Sequence, residues 1–188
     1  MKTRGMIENA ELENLLNRIY KGDESAFEEL VNKTEKSIFL IAYNMIGNKQ
    51  DALDVCQEVY IKLFRYINSY KIEKKFHLWL YKITVNCCYD FIKNKGKLYT
   101  PLDEIEKEIT LSSSFMDEEL SNKQLLEKAF KFLNLLTPTE RMIFLLRDIY
   151  NFSTKEISKI LSCTQITVRR HSNSARQKLK KFLDYIKR

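Results

Sequence analysis

Asp51, Asp54 and Glu58 follow one another at spacings of three and four, which on a helix places them along one stripe. Carboxylates so arranged could serve acid–base catalysis or metal binding. Either chemistry needs a histidine, a nucleophile or a further ligand close by, and the surrounding sequence offers none. The stripe is therefore predicted to be a polar contact surface. Cys87 and Cys88 with His77 suggest a metal site at first sight. Adjacent cysteines on a helix do not readily share one tetrahedral zinc, so buried thiols are expected instead. The four glycines, Gly5, Gly22, Gly47 and Gly96, are isolated, which excludes a phosphate-cradling loop. No catalytic residue, cofactor or metal is predicted, and the chain is not expected to be an enzyme.

Two other groupings point to nucleic acid. Between Tyr66 and Asn94, the rings of Tyr66, Tyr70, Phe76, His77, Trp79 and Tyr81 alternate with Lys71, Lys74, Lys75 and Lys82. Unpaired bases stack on rings while ammonium groups track phosphates, so this mixture suits single strands. Phe76, Leu80 and Ile83 stand at core spacing and Trp79 is expected to be half core. Contact is therefore assigned chiefly to Lys71, Lys74, Lys75, His77 and Asn86.

The second grouping is a helix pair. A short helix opening at Ser153 ends near Leu161, the break at Ser162-Cys163-Thr164 leaves room only for a tight turn, and a long helix runs on from Gln165. This is helix-turn-helix spacing. Ser158 is small enough for close approach, and Ile157, Leu161, Ile166 and Val168 are expected to pack the crossing. Gln165, Arg169 and Asn173 form one stripe, with Thr167 and Arg170 beside it, placed to reach base edges and phosphates in a major groove.

The elements that hold these groups must be helical. Hydrophobic residues make up 44% of the 188-residue chain and charged residues 30%, which supports a folded core rather than disorder. Four Gly and two Pro are too few for the turns of a sandwich, barrel or βαβ series, so an all-α fold is predicted. The net charge of +7 favours a polyanionic partner. Its distribution sharpens the point, because eight cations face one anion from Arg169 to Arg188, while eight acids face three lysines from Asp103 to Lys128. No apolar run nears the roughly 20 residues of a membrane span, and the cysteines lack zinc or CxxC spacing. A cytoplasmic protein without membrane insertion is expected.

Periodicity predicts helices over Ser25–Ile46, from Asp51 to about Ile67 and up to about Asn94, with another around Leu12–Tyr20. The second of these is expected to bury Ala52, Val55, Cys56, Val59, Tyr60, Leu63, Phe64 and Ile67. These form a first domain, 1–97. An irregular acidic linker, 98–118, leads to a second domain, 119–188. There Thr137-Pro138-Thr139-Glu140 is a capping box for a helix over Pro138–Tyr150, and Ser153-Thr154-Lys155-Glu156 repeats the device.

LTPTERMIFLLRDIYNFSTKEISKILSCTQITVRRHSNSARQKL strongly resembles region 4 of the bacterial sigma factors. ESAFEELVNKTEKSIFLIAYNMIGNKQDALDVCQEVYIKLFRYINSY followed by FHLWLYKITVNCCYDFIKNK resembles their region 2. The resemblance covers roughly 24–97 and 120–183, in the family's order, and the short linker is similar to that of the extracytoplasmic-function (ECF) group. It implies a transcription initiation factor that binds core RNA polymerase and promoter DNA. Asp51, Asp54, Gln57, Glu58 and Lys62 would dock on the clamp coiled coil of the largest catalytic subunit. Lys71, Lys74, Lys75, His77 and Asn86 would read and open the −10 element, and Gln165, Thr167, Arg169, Arg170, Asn173 and Arg176 the −35 element. The family often adds an anti-sigma factor as partner. Leu53 departs from an acid common in the family, Ser162 from a turn glycine, and His171, Ser172 and Ser174 from arginine, an apolar residue and arginine. The alternative is a stand-alone helix-turn-helix regulator, which would not need the DALDVCQEV surface or the aromatic-basic loop.

Overall fold

The computed structural model describes residues 9–70, 75–95 and 121–186, and among them the secondary structure is helical throughout, with no strand. Four helices form an N-terminal bundle: α1 (Asn9–Tyr20), α2 (Glu24–Ile46), α3 (Lys49–Tyr66) and α4 (Phe76–Lys95), with a 3₁₀ turn at Ile67–Ser69. The linker 98–118, Lys71 and Lys74 lie outside the described residues.

Local chemistry explains where these helices begin and end. Asp23 caps α2 by accepting from the Ala26 N–H, and Gly47 ends it in the left-handed region at φ 86°. Asn48 then caps α3 through the Asp51 N–H at 2.9 Å. A glycine stop followed at once by an asparagine start makes the α2–α3 connection two residues long and forces the helices antiparallel. Their apolar faces meet α1 and α4 in a core that includes Leu16, Leu30, Ile38, Val59, Leu63 and Phe76. Burying each such side chain contributes about 1.5–3 kcal/mol. Tyr20 Oη donates to the carbonyls of Ile67 and Tyr70, at 3.0 and 2.8 Å, pinning the chain just before the aromatic-basic segment.

The C-terminal bundle contains α5 (Ser121–Asn134), α6 (Pro138–Phe144), α7 (Thr154–Ile160) and α8 (Gln165–Ile186). Both predicted capping boxes are formed, at Thr137/Glu140 and Ser153/Glu156. The helix expected to run to Tyr150 does not stay α-helical. It widens into a π turn over Leu145–Ile149, and Asn151 closes it at φ 57°, a conformation that asparagine tolerates better than most residues. Ser162 occupies the helix-turn-helix turn at φ 51°, at a steric cost of roughly 1–2 kcal/mol that glycine would avoid. Val168, Ile157, Ile160 and Ala175 are buried in the crossing of α7 and α8. Ile166, expected beside them, is instead 75% exposed.

The bundles pack on each other, α4 against α7 and α2 against α6. At their junction Arg141, 1% exposed, donates to the carbonyls of Leu133 and Met45 and to Asn134 Oδ1, at 2.8, 3.0 and 2.9 Å. All three acceptors are neutral, and burial draws the guanidinium pKa down to about 10.

Candidate nucleic-acid and polymerase interfaces

The first turn of α8 is built by Thr164, whose hydroxyl accepts from the Thr167 N–H at 3.1 Å and lies 2.9 Å from the Thr167 hydroxyl. Thr167 is thus engaged in capping. Gln165, Arg169, Arg170 and Asn173 are exposed, and the stripe expected from spacing stands clear of the bundle. Arg176, one turn on, is drawn to Asp148 at 2.6 Å. Ile166 joins the exposed end of the helix, and an apolar side chain there is able to meet a thymine methyl. Spacing alone assigned it to the crossing because it adjoins Val168 in the same apolar-rich turn.

Two of the departures from the sigma pattern, Ser172 and Ser174, turn inward. Ser172 is fully buried and accepts from Arg147 Nη1 at 3.2 Å. Ser174 donates to Glu140 Oε1 at 2.6 Å. Lys178 reaches the other Glu140 oxygen, also at 2.6 Å, so it is an internal ion pair rather than a free cation of the basic tail. Glu140 therefore anchors both the start of α6 and the flank of α8. Burial pushes its pKa up, but Lys178, Ser174 and Thr137 together outweigh this and hold it at about 2.

Just before α4, Lys75 is exposed and its Nζ lies 3.4 Å from Glu156 Oε1. His77 is half-buried, its ring stacked on Phe152 with centroids 6.1 Å apart and planes 23° apart. That burial lowers its pKa, while Glu156 pulls it upward. Trp79 is half-buried between Tyr70 and Phe76, at centroid distances of 5.0 and 5.7 Å. Asn86 is exposed further along the helix. The thiols of Cys56, Cys87 and Cys88 are buried, and burial raises the pKa of each.

On α3, Asp54, Gln57 and Glu58 are exposed, but Asp51, expected outward with them, is buried at 8% exposure. It sits in the first turn, where its N–H is held by Asn48. Lys62 bridges Glu58 and Asp90, at 3.4 and 3.7 Å, tying α3 to α4. Phe64, assigned to the core by its period, is 69% exposed, with Leu53 and Ile61 also outward. Leu53, Ile61 and Phe64 fall on one face with Gln57 between the first two, giving a mainly apolar stripe edged by Asp54 and Glu58. Apolar centre and polar rim are the anatomy of a protein–protein interface.

A helix-turn-helix with an exposed polar and cationic stripe, carried beside a second bundle with an amphipathic outer helix, defines a DNA-reading protein that also binds a protein partner. The family model described as Sigma-70 region 2 matches residues 30–98, and that described as Sigma-70, region 4 matches residues 126–179. The chain belongs to the sigma-70 family of RNA polymerase sigma factors, in its ECF group, and is a transcription initiation factor. It is 30% identical to the ECF RNA polymerase sigma factor SigW of Bacillus subtilis over 181 residues, 89% of this chain and 94% of that one. It is likewise 30% identical to the ECF RNA polymerase sigma-E factor of Escherichia coli K12 over 172 residues, 87% and 89% of the two chains. Two solved structures share the fold. CnrH, in complex with the cytosolic domain of CnrY, superposes with a TM-score of 0.70 at 20% identity, covering 92% of this chain and 97% of that one. RpoE of Bartonella quintana, in complex with the anti-sigma factor NepR, gives 0.65 at 19% identity, covering 84% and 96%.

Proposed function

We propose that the chain divides into a polymerase-docking and −10-opening domain (1–97), a linker (98–118) and a −35-reading domain (119–188). The exposed stripe of α8 carries the −35 assignment: Arg169 and Arg170 meet guanine edges or phosphates, Gln165 and Asn173 adenine edges, and Ile166 a thymine methyl. Lys71, Lys74, Lys75, His77 and Asn86 contact the strand exposed at −10. The α3 face, with Leu53, Asp54, Gln57, Glu58 and Ile61, docks on the clamp coiled coil of core polymerase. Lys62 on α3, and Thr167 and Arg176 on α8, act as positioning residues, since each is held by a neighbour. Catalysis is left to the polymerase, and the protein works in the cytoplasm, where promoters are. No described helix is long and apolar enough to cross a membrane.

Two structural neighbours are recorded with CnrY or NepR, and an anti-sigma factor is proposed as a partner here as well. The test is transcription in vitro with purified core polymerase on promoter fragments. The expected result is promoter-specific initiation that depends on this chain. Sequence-specific binding of the isolated chain to duplex DNA, with no polymerase-dependent initiation, would favour the stand-alone regulator.

A further inference from the structure

Lys155 and Lys159 take no part in the contacts assigned above to promoter or polymerase. They stand one turn apart on α7, both exposed, and no carboxylate pairs with either among the described residues. Glu156, the acid between them, is turned elsewhere, to the Ser153 hydroxyl at 2.8 Å and to Lys75 at 3.4 Å. Both lysines line a cleft of about 700 Å³ between α4 and α7, to which Lys75 and Lys82 contribute from the α4 side. Small-molecule sites commonly enclose about 300–1,000 Å³.

The lining selects for charge. Four ammonium groups meet one carboxylate around the cleft, and Lys82 has the neutral Ser162 hydroxyl as its partner at 2.8 Å. Like charges gathered without matching anions repel one another, and a cleft focuses their field outward. An anion shared by several of them relieves that repulsion. Lys155 and Lys159 are separated by about 6 Å along the helix axis, a span that a run of phosphates covers better than a single one.

The wall adds a second chemistry. Trp79 and Leu78 line the same cleft. Tyr70 and Phe76 hold the indole from behind the cleft wall, at centroid distances of 5.0 and 5.7 Å, so a ring is already in place beside the cations. A nucleobase stacks on such a ring while ammonium groups hold its phosphates.

We propose that this cleft binds a nucleoside polyphosphate, with the base against Trp79 and the phosphates on Lys155, Lys159 and Lys82, Lys75 turning from Glu156 to the same phosphates. A ligand seated there touches both bundles, and its occupancy stabilises the folded chain. Lys75 is shared with the surface assigned to the −10 strand, whereas Lys155 and Lys159 are not, and that difference lets an experiment tell the two ligands apart.

The experiment uses the full-length chain. Trp79 is its single tryptophan, so quenching of its fluorescence reports titration with ATP in the absence of magnesium. Saturable one-to-one quenching is expected, with a raised melting temperature, and inorganic triphosphate should bind more weakly than ATP by about tenfold or more. Lys155→Gln with Lys159→Gln, both exposed and expected to leave the helicity seen by circular dichroism unchanged, should weaken ATP by about tenfold while a single-stranded A/T oligonucleotide keeps its affinity within about twofold. No saturable response to ATP in the millimolar range would overturn the proposal. So would equal affinity for inorganic triphosphate, which would leave an anion patch without recognition of the base. A double variant that binds ATP as the wild type does would remove the two lysines from the site and overturn it as well. Loss of oligonucleotide affinity as large as the loss for ATP would make the cleft part of the strand's path instead.

Discussion

Glu140 and Lys178 lie 2.6 Å apart across the C-terminal bundle, joining the first turn of α6 to the flank of the DNA-facing helix α8. The same carboxylate accepts from the Thr137 N–H at 2.9 Å and from Ser174 at 2.6 Å. One buried acid thus sets the angle at which the helix-turn-helix is presented.

That arrangement makes the C-terminal bundle sensitive to acid. The folded pKa of Glu140, about 2, lies below its ordinary 4.5, so its stabilisation is complete above about 4.5 and is lost as pH falls toward 2. Thermal melts followed by circular dichroism should show a falling midpoint across that window. Glu140→Gln should flatten the dependence and cost on the order of 1.5–3 kcal/mol at neutral pH, the range for hydrogen bonds to a charged group. A variant with the wild-type pH profile would remove Glu140 from this role.

Polymerase docking is expected to depend on the apolar stripe of α3 as well as its acids. Leu53→Ala with Ile61→Ala should weaken affinity for core polymerase by about 1–2 kcal/mol or more, as for residues at an interface centre, without loss of helicity. Asp54→Lys with Glu58→Lys should slow association and alter its salt dependence. Surface plasmon resonance against core polymerase separates the two, and unchanged binding in both would place the docking surface elsewhere.

Duplex recognition should separate into base and phosphate contributions. Losing a base contact at Arg169 or Arg170 should cost about 1–3 kcal/mol and relax preference at one −35 position, whereas losing a phosphate contact lowers affinity for all sequences and reduces the salt slope by about one. Arg176→Ala, which frees Asp148, should change preference little. Holoenzyme binding across single-base −35 variants provides the comparison, and an Arg169→Ala, Arg170→Ala protein with the wild-type profile would sink the assignment.

Strand opening should respond to Lys75 and His77. Alanine at both should reduce permanganate reactivity of promoter thymines more than it reduces recruitment to duplex DNA. Undiminished reactivity would show that the opened strand takes another path.

What the amino-acid order determined by itself is the set of helices and their stops, because those signals act over three or four residues. Thr137 and Glu140, Ser153 and Glu156, and Gly47 with Asn48 define their turns without help from distant chain. The α8 stripe was legible for the same reason, since residues four apart share a face. Periodicity is silent on which covering element arrives, and there the tertiary structure decided. Phe64 and Ile166 carry core-like spacing yet stay outside, Asp51 is drawn inward, and Ser174 and Lys178 are claimed by Glu140. A decision of the same kind brings Lys75 within 3.4 Å of Glu156, 81 positions away in the chain. A helix pattern specifies a face and its polarity, but the identity of what meets that face comes from the packing of whole bundles, which no local spacing encodes.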